Sequence, residues 1–232
     1  MMNDAKNYEL NWGDAYPDDL WSVLSPRLKA ARAARMEEVA RQRTEHVHLI
    51  IQDVHSPHNI AACVRSAEAL GVLHIHVVES GGKFENSAAA SGVHKWLVVH
   101  RYESIAACAA WMRAHHIAIY AGMPSQTSIP LAQVPVEREH AVAVLFGNEK
   151  NGVSPDWQPH LAGCFTIPMT GMVESMNISV CAAISMYALT TKARDLLPAE
   201  AFFISPPRQQ QLLAAWIGQH FPRWQDYYAA KS

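Results

Sequence analysis

The amino-acid sequence predicts an α/β fold: a mostly parallel sheet with helices on both faces, flanked by N- and C-terminal helical extensions. Three observations point there. Short apolar runs alternate with segments of helical spacing from Val47 onward, the pattern that a layered parallel sheet requires. Half of the residues are hydrophobic and 17% are charged, a globular balance that argues against disorder over most of the length. At 232 residues the chain is long enough for one full core with modest extensions.

Residues 1–44 read as an N-terminal helical extension, 45–196 as the main domain and 197–232 as an aromatic helical tail. Ser25-Pro26 is a helix start with Ser as cap and Pro at the first helical position, and good helix formers continue to Arg43. The predicted strands are Val47–Gln52, His74–Val78, Trp96–His100, Ile117–Ala121, Ala141–Phe146 and Cys164–Ile167. Between them, Pro57–Leu70 reads as a helix closed by Gly71, and Glu103–His115 as a second helix with Ile105, Ala109 and Met112 on one face. Residues 178–196 carry the longest helical signal, with Val180, Ile184, Tyr187 and Ala188 at helical spacing. In the tail, Pro206 and Pro207 precede a short amphipathic helix, and Phe202, Phe203, Trp216, Phe221, Trp224, Tyr227 and Tyr228 supply aromatics for a dimer, a partner protein or stacking on unpaired bases.

Several function classes are excluded or disfavoured. No apolar run reaches the roughly 20 residues that cross a bilayer, and Met1 to Tyr16 has no basic region followed by an apolar core; a cytoplasmic location without a membrane partner is expected. Cys63, Cys108, Cys164 and Cys181 are scattered among small or apolar neighbours and read as reduced core thiols. Thirteen histidines include the close pairs His55/His58 and His115/His116, yet no Cys or carboxylate completes a site around either, so no metal is expected. A dinucleotide-binding fold would show glycines after the first strand, whereas that turn reads Asp53-Val54-His55-Ser56-Pro57-His58-Asn59. Gly81-Gly82 is read as a plain turn. Net charge is only −2, but Asp4, Glu9, Asp14, Asp18 and Asp19 precede a basic stretch of Arg27, Lys29, Arg32, Arg35, Arg41 and Arg43.

The unusual residues gather in three segments at strand ends, where open α/β sheets place ligands. In the first, Asn59 opens a helix and Arg65 follows six residues later inside an otherwise apolar face. Arg65 is there either half of a structural ion pair or a ligand for a phosphate or sugar oxygen. In the second, Gly147-Asn148-Glu149 ends a buried strand. Gly147 suits close approach of a ligand, Gly152 a tight turn, and Glu149 is either an acceptor at the strand end or a solvated loop carboxylate. The third runs from Pro168 to Asn177, with Asn177 able to cap the long helix and three methionines that are either core filling or polarizable walls for a flat adenine or a sulfonium.

In order and spacing these segments resemble the three motifs of the SpoU/TrmH branch of the SPOUT RNA ribose 2'-O-methyltransferases. The likeness rests on Asn59 with Arg65, on Gly147-Asn148-Glu149, and on Ile167-Pro168-Met169 leading to Ser175-Met176-Asn177-Ile178-Ser179. It runs from about Arg35 to Leu189 and is closest to the tRNA guanosine branch, including Val54-His55, Pro57-His58-Asn59 and Gly171-Met172-Val173. The resemblance implies a C-terminal trefoil knot, an exception to the rule that chains do not thread themselves. It implies S-adenosyl-L-methionine as methyl donor, bound mainly through backbone groups at Gly122, Gly147, Ile167 and Met176, and a homodimer through the knot region. It implies Arg65 as the catalytic position, supported by Asn59, Glu149, Ser175 and Asn177. The expected partner is RNA, with tRNA favoured and ribosomal RNA the alternative; a non-catalytic knotted RNA-binding module is the rival of another class. The family's tRNA enzymes commonly flank the knot with basic helices, and here Arg27, Arg32 and Arg35 match on the N-terminal side. The tail, with Arg208, Arg223 and Lys231 against Glu200 and Asp226, matches much less well.

Overall fold

Seven parallel strands in the order β3-β2-β1-β6-β4-β7-β5 form one sheet in the computed structural model, which describes residues 16–79 and 93–229. They are β1 (Thr44–Gln52), β2 (Val72–Val78), β3 (Val98–Tyr102), β4 (Ile117–Gly122), β5 (Ile129–Pro130), β6 (Ala141–Phe146) and β7 (Gly163–Thr166). The helices are α1 (Leu20–Leu24), α2 (Ala30–Arg41), α3 (Pro57–Ala69), α4 (Ile105–Ala114), α5 (Ile178–Leu196), α6 (Ala199–Phe202), α7 (Pro206–His220) and α8 (Trp224–Ala229). The Gly81-Gly82 turn, the acidic positions Asp4, Glu9 and Asp14, and Lys231 lie outside the described residues.

The predicted layering is present. On one face, Ile60 and Val64 of α3 and Ala182, Met186 and Leu189 of α5 pack against Leu49, Ile51 and Val144. On the other, Cys108, Ala109 and Met112 of α4 and the buried Trp157 cover Ile50, Ile119 and Leu145. Alternate residues of a strand face opposite sides, so burial on both sides demands nearly continuous apolar strands; every residue of β2 is buried. Cys63, Cys108 and Cys164 are buried and Cys181 half-buried, all as free thiols. Among the described residues no helix is long and apolar enough to cross a membrane.

Four expectations need correction. Ser25-Pro26 opens only a 3-10 turn over Ser25–Arg27; Leu28 and Lys29 are extended and the basic helix begins at Ala30. Burial of Leu20 and Leu24 with Leu28 packed beside them sets this break, tertiary packing overriding helix propensity. Trp96 belongs to a 3-10 turn ahead of β3, where it meets Trp216 edge-on at 5.4 Å. The tail helix α7 is not short: it has fifteen residues, and Leu212 to Gly218 are all buried. Finally, β5 has no counterpart among the predicted strands, because two residues carry no periodicity; its pairing of Ile129 with Phe165 defines it.

The described parts of the two extensions share a second core. Leu20, Trp21, Leu24, Met36 and Ala40 pack with Ile204, Leu212, Leu213, Trp216 and Ile217. Trp216 and Phe202 are each 2% exposed, so these tail aromatics are structural. Arg43 is also structural: 1% exposed, it donates to the Glu68 carboxylate and the Glu68 carbonyl, both at 2.7 Å. A buried charge so placed is tolerated only because it is paired.

Candidate functional site

The chain leaves β1 toward β2 on one side, while β6 and then β4 flank β1 on the other. That reversal makes a crevice at the carboxyl ends of the strands. Ile51 of β1 lies beside Phe146 of β6, Ala121 of β4 beside Leu145, and Gly122 beside Phe165 of β7. The segments that follow these strands therefore emerge together. They are the three segments singled out in the sequence.

Side chains join them directly. Asn59 Nδ2 donates to Glu149 Oε1 at 2.8 Å, and Asn177 Nδ2 donates to Asn59 Oδ1 at 3.1 Å. Asn177 Oδ1 meanwhile accepts from the backbone N–H of Ser179 at 2.8 Å and from its hydroxyl at 2.7 Å, capping α5. Asn59 is not itself the cap of α3: Ser56 Oγ accepts the Asn59 N–H at 3.4 Å, with Pro57 at the first helical position. The Asn59 amide is thus left to bridge residues 90 and 118 positions away. Partial burial works against the Glu149 charge, but the Asn59 hydrogen bond, the backbone N–H groups of Glu149 and His55, and the His55 side chain outweigh it and hold the pKa below the ordinary carboxylate value.

Beside this chain of contacts lies a cleft of about 170 Å³ walled by Phe146, Phe165, Met169 and Met176, with Thr166, Glu174 and Ser175 as its polar groups. Gly122, Ile167, Ser175 and Met176, all singled out in the sequence, line it. A Cβ on Gly122 would stand 2.4 Å from the Phe146 ring, so a side chain there would push that ring out of the wall. Phe146 and Phe165, edge to face at 6.0 Å, were not anticipated, nor was the Cys181 thiol at the cleft's edge. Their signal was position: each aromatic ends or nearly ends a buried strand.

Other expectations shift. Gly147 does not line the cleft; a Cβ there would lie 1.8 Å from the Gly152 carbonyl oxygen. What approaches it closely is the chain's own loop, closed by paired hydrogen bonds between Asn148 and Gly152, with Gly152 at φ +66°. Met172 is fully exposed and no part of the methionine wall. Arg65 is exposed, not inside the apolar face formed by Ile60, Cys63, Val64 and Ala67. Six residues turn a helix by about 600°, which carries Arg65 away from the direction of Asn59. Among the described residues it makes no hydrogen bond or ion pair. The arginines of the basic segment stand elsewhere: Arg27 lies over Tyr227 at 4.7 Å, Arg32 over Trp96 at 6.0 Å, and Arg35 pairs with Glu38 at 2.8 Å. Trp96 precedes β3, at the amino end of the sheet, so these arginines lie toward the end opposite the cleft.

One buried residue fastens the site from below. Gln52, at the end of β1, accepts from the Ser154 N–H at 3.0 Å and from Trp157 Nε1 at 3.1 Å, and donates to Asp53 at 2.8 Å. It ties the loop carrying Glu149 to the loop leading to Asn59.

Comparison with known proteins shows the family and the fold. Residues 46–187 match the profile of the SpoU rRNA Methylase family. A tRNA (guanosine(18)-2'-O)-methyltransferase of Thermus thermophilus is 31% identical over 188 residues, 81% of this chain and 96% of that protein. Its namesake from Escherichia coli is 28% identical over 189 residues, 80% and 82% of the two chains. The crystal structure of the A. aeolicus TrmH/SpoU tRNA modifying enzyme superposes with a TM-score of 0.70 at 25% identity, covering 82% of this chain and 97% of that one.

Proposed function

We propose that this chain, which belongs to the SpoU rRNA Methylase family, transfers a methyl group from S-adenosyl-L-methionine to a ribose 2'-hydroxyl of structured RNA, a tRNA guanosine. The observation that carries the proposal is the bridge from Glu149 through Asn59 to Asn177, which joins all three motif segments beside one cleft. The relatives named above act on tRNA guanosine, and they align over most of this chain.

The cleft fits the donor's adenosine. Phe146, Phe165, Met169 and Met176 offer apolar and polarizable walls for a base, Gly122 leaves room at the end of β4, and Ile167 and Met176 present backbone groups. Gly147 acts indirectly, by shaping the loop that carries Glu149. When bound, the donor supplies an electrophilic methyl group. The residues around it orient the acceptor in line, which supplies much of the acceleration in such transfers. Arg65, exposed and without a polar partner among the described residues, is assigned to an RNA phosphate or the developing oxyanion. A carboxylate held below its ordinary pKa is a weak proton acceptor, so the part of Glu149 is to fix Asn59, and that of Asn177 is to fix Asn59 against the donor cleft. Ser175, a polar group of the cleft lining, is assigned to the acceptor side.

The strand order supports a knot in the C-terminal half: β6 inserts between β1 and β4, after which β7 returns to the far side of β4. A homodimer through α5 is supported by Val180, Ile184 and Tyr187, at helical spacing and exposed by 45%, 37% and 61%. We divide the chain at 44/45 and 196/197, the two extensions forming one layer through their shared core. Its cytoplasmic placement follows that of an RNA-modifying enzyme.

The test is methyl transfer from labelled donor to tRNA and ribosomal RNA, followed by mapping of 2'-O-methyl marks. A single marked guanosine in tRNA is expected; no donor binding at millimolar concentration would sink the proposal in favour of a silent RNA-binding module. Two variants refine it. Asn59→Ala should lower turnover by about tenfold to a hundredfold, the scale of a misplacement near 1 Å, with donor affinity within about twofold of the parent because Asn59 does not line the cleft. Replacing Arg27, Arg32 and Arg35 together by Ala should weaken RNA binding and flatten its salt dependence by up to about three phosphate contacts. An unchanged salt slope would assign these arginines to Tyr227, Trp96 and Glu38 alone.

A further inference from the structure

Beneath α4, far from the cleft in the sheet order, four histidines share one face of three adjacent strands. They are His48 of β1, His74 and His76 of β2 and His100 of β3, exposed by 2%, 6%, 0% and 3%. Register places His48 beside His74 and His76 beside His100. Trp111 of α4 covers them, its ring centre 4.7 Å from His100 and 4.8 Å from His76. The methyl-transfer reading uses none of them.

One ring nitrogen from each of His48, His74 and His76 lies within 4.8 Å of the other two. Their remaining nitrogens are anchored. His48 Nε2 is 2.9 Å from the Glu45 carbonyl oxygen; a carbonyl only accepts, so Nε2 carries the proton and Nδ1 keeps a lone pair. His74 Nε2 is 2.9 Å from Glu45 Oε1, a carboxylate itself held by Arg208 Nε at 2.9 Å, and the same reasoning leaves a lone pair on His74 Nδ1. His76 Nδ1 is 3.1 Å from the Tyr102 hydroxyl, which accepts or donates with equal ease, so His76 is able to hold its proton on either nitrogen. Facing inward, His48 Nδ1 and His76 Nε2 stand 3.0 Å apart, and His74 Nδ1 stands 2.8 Å from His100 Nε2.

In the metal-free chain, a proton on His76 Nε2 fills the first of these contacts. Moving it to Nδ1, where it is donated to the Tyr102 oxygen, turns Nε2 into a third inward lone pair with no change in net charge. Burial keeps His48 and His76 in the neutral form that ligates. Histidine ligands whose outer N–H groups are fixed by a carbonyl, a carboxylate and a hydroxyl have the second layer of contacts that metal sites require.

We propose that His48, His74 and His76 form a structural site for a divalent transition ion of the zinc class. Imidazole suits this class, with metal–nitrogen distances of about 2.0–2.1 Å. In a tetrahedral arrangement those distances separate ligand nitrogens by about 3.3 Å, a few tenths more than the present His48–His76 contact, and the His74 nitrogen, within 4.8 Å of the other two, closes by up to about 1.5 Å to reach it. His100 Nε2 carries the proton that His74 Nδ1 accepts at 2.8 Å in the metal-free chain, and the ion takes the place of that contact. The ion would pin β1 to β2 under α4, and its role is in stability rather than in methyl transfer.

Because Trp111 closes the site, the ion must enter as the chain folds. The full chain is therefore expressed in medium supplemented with Zn2+, washed briefly with EDTA to clear exposed histidines such as His55 and His58, and analysed for metal by mass spectrometry alongside His76→Asn and Tyr102→Phe. The expected result is about one zinc per parent chain, less than a tenth in His76→Asn, and a clear loss in Tyr102→Phe, which keeps the ring but cannot accept a hydrogen bond from the proton moved to His76 Nδ1. Circular dichroism confirms that each variant is folded; if His76→Asn is not, Tyr102→Phe decides. Less than a tenth of an equivalent in the folded parent chain, or a full equivalent retained in both variants, would overturn the proposal.

Discussion

Arg65→Ala should leave the fold and donor binding unchanged while lowering methyl transfer to RNA by at least about a hundredfold, the scale of losing a preorganised charge at a reacting centre. The three parts of this expectation rest on different observations. The side chain is exposed and, among the described residues, has neither hydrogen bond nor ion pair, so its removal should change stability by no more than about 0.5 kcal/mol. It does not line the cleft, so donor affinity should stay within about twofold of the parent. Arg65 is nevertheless on the helix that Asn59 opens, about one and two-thirds turns along. A guanidinium there has no polar partner among the described residues, which supports the proposal that it meets RNA. Lysine restores charge but not the planar fork, so Arg65→Lys should recover only part of the rate. Thermal melts, calorimetry with S-adenosyl-L-methionine and a labelled-methyl assay separate these effects. Full turnover by Arg65→Ala would remove the residue from the reaction.

The layered sheet was legible because period and composition report burial directly: β1, β6 and β7 appear in the sequence as apolar runs within two or three residues of their ends. The three site segments were legible as chemistry out of place, Asn59, Glu149 and Asn177 at the ends of such runs. What stayed hidden depends on contacts distant in sequence or on geometry within a loop. The constraint on Gly147 comes from the Gly152 carbonyl folding back on it, and glycine at a strand end reads equally well as space for a ligand. Arg43 belongs to the basic run by sequence but to the interior by its pairing with Glu68. The aromatic tail looked like a free surface because its cover, α1 and α2, lies some 180 residues earlier. Arg65 is different: about 100° per residue already separates it from Asn59 around the helix. The histidine face was missed, with only His55/His58 and His115/His116 weighed in the sequence: His74 and His76 alternate as residues on one side of a strand do, yet histidine in a strand carries no apolar signal.

That face should make the chain acid-sensitive. Burial, reinforced by repulsion among the neighbouring imidazoles, lowers the pKa of His48 to about 3 and of His100 to about 2, and places His76 well below its ordinary value. Unfolding releases all three to about 6.5. Folded values below unfolded ones mean that the unfolded chain binds the extra protons, so full stability is present above about pH 6.5 and is lost as pH falls. Each histidine costs about 1.4 kcal/mol per pH unit; His48 and His100 over about one and a half units give about 4 kcal/mol by pH 5, and His76 adds to the loss in the same direction. Domains of this kind have only about 5–15 kcal/mol in total. Glu45, facing His74 and Arg208, has its own burial outweighed by those two partners and a pKa of about 2, so it adds to the loss only below the ordinary carboxylate range. Urea melts at pH 7.5 and 5.0, on chain produced without added Zn2+, should differ by at least about 4 kcal/mol, and His100→Gln should remove about 2 kcal/mol of the difference. A stability that is flat across this range would mean that the imidazoles are charged or solvated in the folded chain.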